Sequence, residues 1–188
     1  ALMDVQCFDL RAVESIRNNP RHYEVSATRY AGPHARSAAV DSLDAVVLGA
    51  TEIDTGFNVN VHTDSNGYII GGSGGHSDTA AGAKLAMIVA PLYRARLPIV
   101  VDKVLCTTTP GHTVDVLVTQ RGIAVNPLRK DLEDKLRAFG LPVYDIHELK
   151  DMAERVTGKP QTRVPGGRAA AEVEYRDGRI IDRIHCVV

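Results

Sequence analysis

The chain has 188 residues, with 22 Lys and Arg against 23 Asp and Glu, a net charge of −1 and 44% hydrophobic residues. That balance fits one globular domain and excludes a disordered chain, in which apolar content is low and charge accumulates. It disfavours a nucleic-acid binder, which needs a basic excess to meet phosphates, and no apolar run approaches the ~20 residues that span a bilayer.

Residues 2–8 read as a strand already under way at the first positions, the pattern of a piece of something longer. The opening Ala1-Leu2-Met3-Asp4 lacks the basic-then-apolar layout of a signal peptide. Cys7, Cys106 and Cys186 are an odd number of cysteines without a C-x-x-C pair, which argues against a disulfide framework and a structural zinc site. Cys106 and Cys186 lie in apolar runs that predict buried thiols, and a reducing, cytoplasmic compartment follows.

Asp9 is placed to cap a helix through Leu10, Val13 and Ile16 that ends near Pro20. Residues 21–37 read as irregular. Residues 45–49 form a short apolar run, typical of a strand covered on both faces. Residues 57–62 alternate, with Asn58, Asn60 and His62 on the polar face. Asp64-Ser-Asn-Gly67 is a hairpin turn, after which residues 68–70 resume a strand. Residues 86–90, 99–101 and 114–118 read as further buried strands, residues 131–139 and 146–156 as helices, and residues 171–175 and 180–186 as a closing hairpin. The sum is an α/β fold: a mixed, largely parallel sheet with helices on both faces, the terminal hairpin adding an antiparallel edge.

The chemistry concentrates in Gly71-Gly-Ser-Gly-Gly-His-Ser-Asp78, between a strand and a helix. A tight turn needs one or two glycines. Four let the backbone approach a ligand, with the N–H groups of Gly72, Ser73, Gly74 and Gly75 converging on an anion or oxyanion at the positive end of the following helix. The loop is neither a P-loop nor a dinucleotide fingerprint. His76 is a candidate donor or proton shuttle, or else a helix-start residue bonded to backbone. Asp78 reads as a helix cap. Glu52 and Asp54 follow a strand, where open α/β sheets bind ligands, and are candidates for a base or a substrate-orienting group. Asn58 and Asn60 either bind a polar ligand or satisfy backbone. Arg121 follows another strand as a candidate carboxylate clamp, with Arg29, Arg36 and Lys84 as further cations. The seven His are scattered without ligand spacing, so no metal site is expected.

Two segments are specific: Ala50-Thr-Glu-Ile-Asp-Thr-Gly-Phe-Asn-Val-Asn-Val61 and Ser73-Gly-Gly-His-Ser-Asp-Thr-Ala80. With Val114-Asp-Val-Leu-Val-Thr-Gln-Arg-Gly-Ile-Ala-Val-Asn-Pro127, Asp4-Val-Gln-Cys-Phe-Asp-Leu10, Thr157-Gly-Lys-Pro160 and Tyr175-Arg-Asp-Gly178, the chain resembles the citrate lyase alpha-chain family along essentially its whole length. The resemblance is to the C-terminal part of that subunit. It implies a CoA-transferase-like fold of the kind found in ribose-5-phosphate isomerase and glucosamine-6-phosphate deaminase, with residues 1–188 as a single domain, one of two such halves. The implied reaction exchanges acetate for citrate on the thioester of an acyl carrier protein (ACP), giving citryl-ACP and acetate. The implied partners are a beta chain, which cleaves citryl-ACP, and a gamma chain, the ACP itself. The alpha chain then binds no cofactor directly; the ACP carries a phosphoribosyl-dephospho-CoA group.

Under this resemblance Glu52, Gly74, Gly75 and His76 are the candidate catalytic residues, and Asn58, Asn60, Gly72, Ser73 and Arg121 the candidate substrate-binding residues. Related CoA-transferases carry a nucleophilic Glu in a Ser-Glu-Asn-Gly segment, where this chain reads Gln6-Cys7-Phe8-Asp9. The departure agrees with direct transfer through a mixed anhydride. The family loop has an Arg where Ile70 stands here, which removes a cation from the loop. The isolated piece is expected to be inactive, because such sites need both halves. The alternatives are a citramalate lyase alpha chain, a general acyl-CoA transferase or hydrolase, and a non-enzymatic assembly half.

Overall fold

The computed structural model describes residues 2–3, 10–160 and 165–187. Strand β1 (Leu2–Met3) pairs in parallel with β2 (Tyr23–Glu24), and α1 (Leu10–Asn18) lies between them. Asp9 and most of the expected opening strand fall outside the described residues. The stretch expected to be irregular contains β2 and a short α2 (Ala27–Ala31), whose Ser26 cap accepts a hydrogen bond from the Arg29 N–H at 3.3 Å. Five residues are too few to show a helical period.

The central elements are β3 (Val46–Leu48), β4 (Glu52–Asp54), β5 (Val59–Asn60), α3 (His76–Gly82) and β6 (Ala86–Val89). A small hairpin follows, β7 (Tyr93–Arg94) with β8 (Leu97–Pro98), then β9 (Val100–Val101), β10 (Val116–Thr119) and β11 (Gly122–Val125). The chain continues through α4 (Lys130–Ala138), β12 (Val143–Tyr144) and α5 (Ile146–Thr157) to the hairpin β13 (Pro165–Glu174) and β14 (Ile180–Val187).

The main sheet has the order β12-β11-β10-β6-β3, with β3, β6 and β10 parallel, β11 antiparallel to β10, and β12 parallel to β11. It is mixed and largely parallel, as expected. The antiparallel element is β11, reached by the tight turn at Gln120 and Arg121. The terminal hairpin forms a separate two-stranded sheet instead of an edge of the main one. A third sheet, β5-β4-β9, turns residues 52–54 from the expected loop into a strand whose three residues are all buried.

Register explains the core. Leu48, Ile88, Leu117 and Ala124 stand in one cross-strand row, so their side chains share a face. That face packs against Ile146, Leu149 and Ala153 of α5, together with Ile53, Val59 and Val100 of the second sheet. Helix α5 is held at its start by a capping box between Asp145 and Glu148. The next row has Val47, Met87 and Val116, and Val47 is 62% exposed; Val89, on the same face, is 47% exposed. The expectation that residues 45–49 and 86–90 are covered on both faces is therefore corrected. Apolar runs do not distinguish one covered face from two. Among the described residues no helix is long and apolar enough to cross a membrane.

Candidate functional site

Residues 68–70, expected as a strand, form only an isolated bridge between Ile69 and Thr63; the glycine loop follows Ile70, whose N–H donates to His62 O at 2.9 Å, and runs into α3. A Cβ on Gly71, Gly72 or Gly74 would meet nothing within 4 Å, and Gly74 sits at φ +54. Packing therefore does not demand these glycines; conformation does so at Gly74. Among the described residues, no backbone N–H of Gly71, Gly72, Ser73, Gly74 or Gly75 donates a hydrogen bond to the protein. The loop carbonyls, by contrast, are in use. Gly71 O meets His62 Nδ1 at 3.2 Å, Ser73 O accepts the His76 N–H at 3.1 Å, and Gly75 O accepts from Thr79. The loop thus holds itself by its acceptors and leaves its donors open, an arrangement suited to an anion. Helix α3 has only seven residues and no side-chain cap, so the loop amides are the main donors.

His76 is buried at 8% exposure, and both ring nitrogens are engaged. Nε2 lies 2.8 Å from Gly49 O and Nδ1 lies 2.7 Å from Thr109 Oγ1. A carbonyl only accepts, so Nε2 carries the proton and Nδ1 accepts from the Thr109 hydroxyl. Burial pushes the His76 pKa below its ordinary value; the Gly49 bond opposes that and the nearby His62 adds to it. A neutral ring therefore ties together the end of β3, the start of α3 and the Thr107-Thr-Thr segment. Of the two readings of His76, this is the backbone-bonded one. The sequence suggests only a turn at Thr107-Thr-Thr-Pro, yet Thr108 and Thr109 are buried polar partners of β5 and His76.

Asn58 and Asn60 are internal. The Asp54 carboxylate accepts the N–H groups of Gly56 and Asn58, each at 2.9 Å, and the Asn58 amide. Asn58 Oδ1 accepts the Gly111 N–H at 2.9 Å. Asn60 Oδ1 accepts the N–H groups of His62 and Thr63, and its amide donates to Thr63 Oγ1 at 2.8 Å and to Glu52 Oε2 at 3.2 Å. Both asparagines satisfy local structure and hold the strand that leads to the glycine loop.

Glu52 is 4% exposed and lines a cavity whose lining includes none of the loop glycines. No hydrogen bond joins it to the loop. Arg121 is exposed in the turn after β10, and its side chain has no acidic partner among the described residues. Lys84 pairs with Asp44 at 2.7 Å. Asp78 lies in the first turn of α3, and Arg176 Nε stands 3.5 Å from its Oδ1, too long for a hydrogen bond. Burial raises the Asp78 pKa, against the lowering effect of Arg176. Cys106 is buried as expected, whereas Cys186 is only half-buried; Cys7 lies outside the described residues. Among the described residues no cluster of three or more His, Cys, Asp or Glu is placed to hold a metal ion.

The family model for the citrate lyase alpha subunit (CitF) matches residues 1–187. The citrate lyase alpha chain of Klebsiella pneumoniae is 54% identical over 99% of this chain and 37% of that protein. The Escherichia coli K12 alpha chain is 51% identical over 99% of this chain and 36% of its own. A Streptococcus mutans structure, described as an alpha subunit of citrate lyase in complex with citrate, is 46% identical with a TM-score of 0.89, over 94% of this chain and 35% of that one. RipA from Yersinia pestis, at 20% identity and a TM-score of 0.50 over 77% of this chain and 34% of its own, shares the fold alone. The chain spans little more than a third of the length of the curated relatives it matches. Its sequence matches the family from end to end, and the chain belongs to the citrate lyase alpha-subunit family.

Proposed function

We propose that this chain contributes the acyl-transfer loop of a citrate:acetyl-ACP transferase, acting as the C-terminal CoA-transferase-like half of an alpha subunit. The observation that carries the reading is the run of open N–H groups from Gly71 to Gly75. Family membership supports it, as does the citrate held by the Streptococcus mutans relative.

A citrate carboxylate oxygen attacks the acetyl carbonyl of the ACP thioester. The C–S bond breaks, the thiolate leaves, and a mixed anhydride forms. The thiolate then attacks the citryl carbonyl of the anhydride, and acetate departs. Each attack places negative charge on a carbonyl oxygen. Donors fixed before the reaction stabilise that charge, and one such donor is worth about 3–4 kcal/mol. The amides of Gly72, Ser73, Gly74 and Gly75 take this role. His76, neutral and buried, positions the loop. Asn58 and Asn60 support the strand beneath it, and Arg121 is available to a citrate carboxylate. Glu52, a candidate for orienting the substrate, is buried and held by Asn60 and the Leu105 N–H.

The beta chain and the ACP gamma chain are the partners, and the phosphoribosyl-dephospho-CoA group arrives on the ACP. The subunit binds no cofactor of its own and works in the cytoplasm. The test is citryl-ACP formation by the alpha subunit carrying Gly74→Val. A loss of about 100-fold or more in rate is expected. An unchanged rate contradicts the loop assignment.

A further inference from the structure

The terminal hairpin is a sheet of its own, yet it reaches the first turn of α3 by two routes. On β14, the Asp182 carboxylate accepts the Thr107 N–H at 2.6 Å, two residues before the Thr109 hydroxyl that meets His76. Val173 and Ile184 of the hairpin pack on Cys106, beside that segment. At the hairpin tip, Arg176 Nε stands 3.5 Å from Asp78 Oδ1, and the two side chains are only 19% and 24% exposed. Asp177 and Arg179, also at the tip, pair with each other at 2.6 Å, which leaves Arg176 for α3.

Asp78 is the third residue of α3, whose N-cap is Gly75. Side chains in a first turn lean toward the helix N-terminus, and an acid at this position is placed to fold back on the N-cap N–H. Asp78 does not fold back. Its Oδ1 has no hydrogen-bond partner, and among the described residues the Gly75 N–H donates to no protein acceptor. A carboxylate one turn from the open amides competes with a substrate oxygen for them and repels its charge. The guanidinium of Arg176 opposes both effects.

We propose that Arg176 is a positioning residue for the transfer reaction. Acting through Asp78, it draws the carboxylate toward the hairpin tip and cancels its charge. The amides of Gly72 to Gly75 are thereby kept free for an anionic substrate oxygen. A plain structural tie needs no charge here, because the hairpin is already anchored by the Asp182 bond and by the contacts of Val173 and Ile184. The inference rests on the proposed loop chemistry, in which those amides receive the oxyanion.

The test is a set of charge variants of the alpha subunit, assayed for citryl-ACP formation with kcat/KM for citrate as the readout. Arg176→Gln leaves Asp78 uncompensated and should lower kcat/KM about fivefold. Asp78→Ala leaves the cation unpaired beside the loop and should raise it about threefold. The combined variant restores the balance of charge and should return to within about twofold of the parent. Arg176→Lys keeps the charge and should also stay within about twofold. A merely structural pair predicts another order, with both single variants slow and the combined variant no faster than the slower of them. That order overturns the proposal, as do single variants that both match the parent. Should Arg176→Gln fail to fold, Asp78→Ala decides: a raised kcat/KM supports the proposal, and an unchanged or lowered one overturns it. Gly74→Val in the same assay separates this inference from the reading beneath it. Gly74→Val at the parent's rate contradicts the loop reading itself. Gly74→Val slowed, with every charge variant at the parent's value, overturns the role of Arg176 alone.

Discussion

His76 Nε2 donates to the Gly49 carbonyl at 2.8 Å, joining residues 27 apart in sequence and fixing the start of α3 against the end of β3. Because burial lowers the His76 pKa from its ordinary 6.5, the unfolded chain binds the proton more readily than the folded one. Folding stability from this group is therefore complete above pH 6.5 and falls as the pH drops below it. His76→Ala should cost about 2–3 kcal/mol at neutral pH and flatten the acid side of the profile. Chemical denaturation at several pH values reads both effects, and a variant as steep as the parent below pH 6.5 contradicts the assignment.

Asn60 is fully buried and serves Glu52, His62 and Thr63 at once. Asn60→Ala removes an acceptor from two backbone N–H groups and a donor from a buried carboxylate. The expected loss is about 3 kcal/mol, measured by urea unfolding. A loss under about 1 kcal/mol would mean that water replaces the asparagine.

The glycines separate into two kinds. A Cβ on Gly111 would collide with the Gly56 carbonyl, and one on Gly82 would lie 2.7 Å from Val40 Cγ2, whereas one on Gly72 meets open space. Gly111→Ala should therefore lower the melting temperature sharply or prevent folding, and Gly72→Ala should melt with the parent. Thermal melts followed by circular dichroism distinguish the two. Equal melting temperatures would contradict the close approach at Gly111.

Cys106 is 1% exposed, and burial, with a smaller contribution from the Asp182 charge, pushes its thiol pKa to about 12. It stays protonated and unreactive at neutral pH. Peptide mapping after brief iodoacetamide treatment should find Cys186 alkylated well before Cys106. Equal labelling under native conditions would contradict the burial of Cys106.

The sequence readily reveals elements whose signals are local. Gly140, at φ +73, stops α4 two residues after its last helical position, Ala138. Gly67, at φ +91, closes the expected hairpin turn. The glycine loop stands out because four glycines exceed what a turn requires. Elements that depend on distant partners are hidden. Glu52 reads as a loop carboxylate because its strand is only three residues long and takes its order from β5 and β9. Asn58 and Asn60 look available for a ligand until Asp54, Gly111 and Thr63 close around them. Val47 looks buried from its apolar neighbours, but its row faces away from α5.

The central claim is that the open amides of the glycine loop receive an anionic or polarised oxygen of the substrate. The most direct measurement is a citrate titration of the ¹⁵N-labelled protein, following the backbone amides of Gly72, Ser73, Gly74 and Gly75. Saturable shifts at these amides, abolished by Gly74→Val, are the predicted result. Citrate binding that leaves all four amides unmoved, or shifts that persist unchanged in Gly74→Val, would contradict it.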